Sequence, residues 1–363
     1  MKSRAMVITA FNEPLVPEEI EVPTLEDGEV LIKLTASGVC GSDVHMWRGE
    51  DPRTPLPLIP GHEGVGTVAD IGGKKRTVDG EMLSAGDGVF WNRGVTCGEC
   101  WYCSVLGDLS LCSNRRVYGI TSSRSERPYL NGCYAEYLVL RTGTDIFKIP
   151  GEIDHAVLVS ASCSGATAAH AFDDVPESVN GGTVVVQGVG PLGVYAVAFA
   201  RSLGASSIAV IGGTESRLDL CRDFGATHLL NRHKTTPEER KATIEDLSGG
   251  RGADLVVEAV GAQGVAEEGV RLLRKGGMYV STGYAQPAGT ESLDFYRDVV
   301  NRNVRIQGIW VSDSRHLKKA VDLTMDNADI FARLVSRCYT LDDANSALTA
   351  MERKEVVKAV ICG

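Results

Sequence analysis

The sequence predicts a two-domain α/β protein, a β-rich domain joined to a doubly wound parallel sheet, and three observations carry that prediction. Up to about residue 150, short alternating apolar runs are separated by Gly, Pro and Asp turns, the pattern of half-buried strands. From about residue 155 the period changes, and apolar strand-like runs alternate with helix-length segments. At the head of this second region the apolar run 182–187 leads into Gly188-Val189-Gly190-Pro191-Leu192-Gly193 and then into helical spacing over 194–203. Strand, glycine turn and helix in that order make a βαβ opening.

Bulk properties narrow the class of protein. The chain has 363 residues, 43% of them hydrophobic, which favours two domains and a sizeable core. A net charge of −10 argues against nucleic-acid or anionic-membrane partners, both of which need a basic face. Residues 1–8 lack the apolar stretch of a signal peptide and read as a first strand. The longest apolar run, 183–200, is interrupted by Gln187 and by glycines at turn spacing, so it is no membrane span. Of ten cysteines, four crowd between positions 97 and 112, which suits metal thiolates in a reducing cytoplasm better than disulfides. The expectation is a soluble, cytoplasmic protein.

In chain order, 29–34, 66–69 and 132–140 read as strands, and 72–86 as a solvated polar loop. Residues 38–45 (GVCGSDVH) and 61–63 (GHE) flank a loop, 52–60, too rich in proline to be regular. A thiol, an imidazole and a carboxylate, each beside a glycine, are ligands a zinc ion accepts, and three ligands with one open position make a catalytic site. Alternatively, Cys40 and His62 are ordinary half-buried residues. Cys97, Cys100, Cys103 and Cys112 can wrap one tetrahedral ion in a closed structural site, with a thiol redox centre as the competing reading.

Residues 153–173 read as helical. Strands follow at 207–211, 228–230, 254–259, 277–282 and 304–309, with helices at 216–224, 240–247 and 266–273 between them. Helices at 317–325 and 342–351 precede a last strand, 357–362, which can return to the first domain's sheet. In the turn, Gly188 allows a sharp bend, Gly190 lets backbone approach a pyrophosphate, and Gly193 lets helix pack on strand. The phosphates would sit at the helix N-terminus, where amide groups and the helix dipole favour negative charge.

These motifs, in this order, resemble the zinc-containing medium-chain dehydrogenase/reductase family, the alcohol dehydrogenase superfamily. Added to them are GD at 86–87, SASCSGATAAHA at 160–171 and VVKAVI at 356–361, so the resemblance spans essentially the whole chain. It implies a GroES-like catalytic domain, 1–165 and 312–363, interrupted by a Rossmann NAD(P)-binding domain, 166–311. It implies a catalytic zinc held by Cys40, His62 and Cys163, with Glu63 beside the metal and Asp43 supporting the ligands. Polyol-type relatives commonly carry a glutamate near 163, so a thiolate there leans toward the alcohol type. The four-cysteine lobe would hold a second, structural zinc. Ser42 and His45 would carry a proton out through the nicotinamide ribose, and Thr167 would pack on the nicotinamide. Pro191, Leu192, Gly212, Gly213, Arg217 and Lys358 join the glycines as expected cofactor contacts.

The activity implied is hydride transfer between an alcohol and NAD(P), giving an aldehyde or ketone. The alcohol is expected to be secondary, and bulky or cyclic if Trp47, Trp91 and Trp310 wall the pocket rather than fill the core. Arg93 either meets an anionic substrate group or is solvated. The sequence departs from the family in two places. The Cys103–Cys112 spacing is one residue longer than usual, and Gly212 stands where NAD-binding relatives carry an acidic residue. Thr214, Ser216 and Arg217 could receive a 2′-phosphate, yet Glu215 would repel one and no basic cluster is evident, so NAD(P) is expected with a lean to NAD. The alternatives are a polyol, sugar-alcohol or amino-alcohol dehydrogenase and, from another class, a catalytically silent dinucleotide-binding protein. A homo-oligomer, dimer or tetramer, is expected, with 304–309 as an edge strand in need of a partner.

Overall fold

A computed structural model describes residues 1–363, which divide into two compact units, Met1–Cys163 with Ser312–Gly363 and Ser164–Val311. The first unit is built on a seven-stranded sheet. Its spine runs Val335–Tyr339, Lys358–Cys362, Val30–Val39, Glu63–Ile71, Gly88–Trp91 and Ile146–Lys148, with Tyr137–Leu140 also pairing Val30–Val39. The strand Val30–Val39 is rich in β-branched residues and buried along most of its length, as a central strand requires. Val30, Ile32, Val68, Val89, Leu138, Leu140 and Ile146 form the core beneath it. Pairing is antiparallel with Glu63–Ile71, and Gly38 faces Glu63 across the ladder. The last strand, Lys358–Cys362, lies on the other side, with Ala359 opposite Val39. Three neighbouring strands therefore deliver Cys40, His62, Glu63 and Lys358 to one edge.

The second unit is a six-stranded sheet, parallel throughout, in the order His228–Asn231, Ser207–Gly212, Thr183–Gln187, Ala253–Glu258, Leu273–Ser281, Arg305–Gly308. Thr183–Gln187 is buried at every position, the signature of an inner parallel strand. Helix Pro191–Ser202 opens with proline in its first turn, where a missing N–H costs nothing. Helix Pro237–Leu247 is started by a reciprocal cap between Thr236 and Glu239.

Three elements differ from the sequence reading. The helical stretch 153–173 is broken into His155–Leu158, the 3-10 turn Val159–Ser162 and helix Ser164–Ala171, with Cys163 at φ −123°, ψ −74° outside helical geometry. The strand expected at 132–140 shortens to Tyr137–Leu140, because Cys133 and Tyr134 donate their N–H groups to Gly61 and Pro60 of the preceding loop. Cys338 and Cys362 form a disulfide between adjacent strands, Cα atoms 5.8 Å apart, outside the crowded set that the spacing argument addressed. No helix is long and apolar enough to cross a membrane.

Candidate active site

Cys40, His62, Glu63 and Cys163 bring one ligand atom each to within 4.8 Å of the others. Cys40 follows the end of Val30–Val39 and precedes helix Gly41–Trp47. Asp43, fully buried on that helix, accepts the Cys40 N–H at 2.7 Å and the Tyr134 hydroxyl at 3.2 Å. Its other oxygen lies 3.2 Å from His62 Nδ1, an electrostatic contact outside hydrogen-bond geometry. Burial works against charge on both groups, yet His62 holds the Asp43 carboxyl below its usual range and Asp43 lifts His62 to about 9. Glu63 pairs through Oε2 with the buried ammonium of Lys358. A Cβ at Gly38 would collide with that carboxylate and reach within 3.0 Å of Lys358 Cε, so only glycine leaves room for the pair. Lys358 was expected among the cofactor contacts; the structure instead commits its ammonium to Glu63, because the last strand begins beside the cluster.

The cluster suits a cation. His62 Nε2 and Glu63 Oε1 are buried without a hydrogen-bond partner, an arrangement costing about 1–3 kcal/mol per group unless something binds them. Two thiols, an imidazole and a carboxylate are the donor types zinc prefers. A hydrogen bond from Cys40 and the charge of Arg93 hold the Cys163 thiol below its usual range despite burial.

Ser42 and His45 share a face of helix Gly41–Trp47, three residues apart. Ser42 Oγ lies 3.8 Å from Cys40 Sγ, and half-buried His45 places Nδ1 2.6 Å from Glu50 Oε2.

The four cysteines of 97–112 form a second cluster within the same 4.8 Å limit. Cys100 and Cys103 Sγ atoms are 3.5 Å apart, as are those of Cys97 and Cys112. That is far longer than a disulfide and close to the ~3.8 Å separation of sulfurs around a tetrahedral zinc with ~2.3 Å bonds. Amides of Ser113 and Cys103 lower the Cys100 thiol to about 6, the form a metal binds. The residues between Cys103 and Cys112 are taken up by the turn Tyr102–Leu106 and the 3-10 turn Leu109–Leu111.

In the second unit, Gly188 has φ +121° and Gly190 caps helix Pro191–Ser202. A Cβ on Gly190 would meet nothing within 4 Å, whereas one on Gly193 would strike the Gly188 carbonyl. Leu192 lies in the first turn of that helix, and Thr167 is buried in helix Ser164–Ala171. Gly212 ends its strand under Val189, whose methyls crowd the place of a Cβ. At Gly213 the atoms nearest an added Cβ are His233 Nε2 at 2.8 Å and Arg232 Nε at 3.1 Å. These two basic residues were missed in the sequence because they follow a different strand, His228–Asn231. Half-buried Arg217 is on helix Glu215–Phe224, and Glu215 itself is paired with Lys234 at 2.6 Å.

Two of the three candidate wall tryptophans fill the core of the first unit. Trp91 is a core residue of Gly88–Trp91, and Trp47 packs on the same core with its Nε1 donating to the Glu13 carbonyl. Trp310 is 43% exposed in the second unit.

Residues 26–151 match the alcohol dehydrogenase GroES-like domain, and residues 191–326 match the zinc-binding dehydrogenase domain. A 5-exo-hydroxycamphor dehydrogenase of Pseudomonas putida is 34% identical over 99% of this chain and 98% of its own length. An L-threonine 3-dehydrogenase of Bacillus velezensis is 31% identical, covering 99% and 98%. Among solved structures, an alcohol dehydrogenase from Thermotoga maritima superposes with a TM-score of 0.97 at 47% identity, covering 100% of this chain and 99% of that one. The chain therefore belongs to the zinc-containing medium-chain dehydrogenases of the alcohol dehydrogenase superfamily. It is an NAD(P)-dependent oxidoreductase acting on alcohols.

Proposed function

We propose that this chain interconverts a secondary alcohol and its ketone at a zinc held by Cys40, His62 and Cys163, with Glu63 beside the metal. The observation that carries the reading is the convergence of these groups around the unpartnered His62 Nε2. When bound, zinc supplies the Lewis acidity that lowers an alcohol's pKa, and NAD(P) supplies the hydride acceptor. The protein's own groups do the rest. The Asp43 carboxylate, 3.2 Å from His62 Nδ1, favours a proton on that nitrogen and leaves Nε2 for the metal. Lys358 offsets the buried Glu63 charge. Ser42 Oγ accepts the substrate proton as it releases its own, and His45, half-exposed and paired with Glu50, delivers a proton to solvent.

The lobe of Cys97, Cys100, Cys103 and Cys112 holds a second, structural zinc, giving two per chain. The turn 188–193 cradles the pyrophosphate at the N-terminus of Pro191–Ser202. Arg232 and His233 beside Gly213, with Glu215 occupied by Lys234, support a 2′-phosphate and remove the ground for preferring NAD, so the reading moves to NADP. A cyclic substrate is supported by the hydroxycamphor relative, and an amino-alcohol substrate is the second reading, supported by the threonine dehydrogenase relative. A cytoplasmic location and a homo-oligomer, dimer or tetramer, complete the proposal; the edge strand Arg305–Gly308, exposed throughout, supports the latter.

Elemental analysis tests the centre. Wild-type protein should carry two zinc ions, and Cys40→Ser one, with an unchanged circular dichroism spectrum. Retention of both ions in the variant would refute the catalytic-site assignment.

A further inference from the structure

Arg93 is a buried cation with no carboxylate partner. Its side chain is sealed to 6% exposure, its Nε has no hydrogen-bond partner, and its guanidinium lies against the Cys163 thiol. The backbone that carries it is fixed on both sides. Asn92 donates to the Asp145 carbonyl and through Nδ2 to Ser314 Oγ, each at 3.0 Å. Gly94 N–H donates to Asn92 Oδ1 at 3.1 Å, and the Arg93 carbonyl accepts the Tyr118 N–H at 3.1 Å. Next to it, the guanidinium of Arg115 covers Gly94, where any Cβ would collide with it. Arg115 donates to the Ser312 carbonyl at 2.8 Å, and its own Nε is also buried without a partner.

The acids nearby are already committed. Glu63 is paired with Lys358, Asp51 with Arg53, and Asp313 with Arg315. On the reading proposed above, the thiolates facing Arg93 are taken by a divalent cation. The guanidinium of Arg93 is then buried beside the reacting centre with an Nε that no group in the chain satisfies, a costly state unless a ligand accepts from it.

We propose that Arg93 is a specificity residue that binds a carboxylate on the substrate, so that the alcohol oxidised carries an acid group. The inference rests on the catalytic-centre assignment and names its substrate class. A guanidinium matches a carboxylate in a planar, two-bond geometry, and one guanidinium pairs with a monoanion rather than a phosphate dianion. Because the donor is buried, an alcohol lacking the acid leaves it unpaired and is discriminated against.

The test uses the zinc-loaded protein with bound coenzyme and two isosteric probes, cyclohexanecarboxylate and cyclohexanecarboxamide, titrated by calorimetry. The acid should bind at least about tenfold more tightly than the amide, with inorganic phosphate a weak competitor. Equal binding of acid and amide, or phosphate as the stronger ligand, overturns the proposal, and this measurement needs no variant.

Kinetics add a second arm. The ratio of kcat/KM for 3-hydroxybutyrate over 2-butanol should fall at least about tenfold in Arg93→Met, and Arg93→Lys should recover part of it. A proportional loss on both substrates would mean that Arg93 only positions Cys163. The failures are distinguishable: no oxidation of any alcohol sinks the assigned activity, whereas turnover of neutral alcohols without preference for the acid sinks only this inference.

Discussion

Asp313 begins the helix Ser314–Asp326, and its carboxylate accepts the N–H groups of Arg315 at 2.8 Å and His316 at 3.3 Å. Arg315 Nη2 lies 3.0 Å away, and His316 Nδ1 2.9 Å. Burial would raise this carboxyl's pKa, but His316 and Arg315 hold it far below the ordinary range. A depressed folded-state value contributes stability that is complete above the unfolded pKa, about 4, and is lost as pH falls toward the folded one. Asp313→Asn should therefore cost about 1–2 kcal/mol at neutral pH. It should also flatten the loss of stability below about pH 4, as urea melts across pH would show; a variant with the wild-type slope would remove Asp313 from the acid response. Residues such as Cys40, His62 and the four lobe cysteines were legible in the sequence because their spacing along the chain is itself the signal. Asp313 was not, since an acid ahead of a helix reads as solvated until folding buries it, and Arg93 was legible only as one of two readings, an anion contact or a solvated side chain.

The strands and helices of the second unit were mostly legible to within a residue or two, because each has its own period and a start or stop residue. The segment 153–173 was not. Its composition is helical throughout, and only packing reveals the break that sets Cys163 apart from the helices on either side. The end of strand Ser207–Gly212 holds a similar surprise. Replacing Gly212 with an acid is the obvious route to an NAD-binding site, yet the space is filled by Val189, which belongs to the glycine turn. We expect Gly212→Asp to lose about 1–3 kcal/mol of stability and to weaken binding of NADH and NADPH alike. Fluorescence titration of both coenzymes reads this directly, with wild-type protein binding NADPH more tightly than NADH. A clean switch to NADH in the variant would show that Val189 yields easily.

At the scale of the molecule, the first unit is discontinuous, and its sheet is completed only when Lys358–Cys362 docks beside Val30–Val39. The same docking buries Lys358 against Glu63, so closing the sheet and neutralising the site are one event. Lys358→Met strands the carboxylate and should lower stability by about 3–5 kcal/mol in denaturant melts, more than the lost packing of any surface lysine. A loss below about 1 kcal/mol would separate the ion pair from folding. The cluster's address is a matter of ladder register: Cys40 stands one residue past Val39, and His62 one residue before Glu63, which pairs Gly38. In hereditary terms this makes the gene unevenly forgiving. Codons added within 52–55, which is not buried, lengthen a loop and leave the ligands in place. A single codon added inside either strand turns every following side chain to the opposite face and erases the centre in one generation.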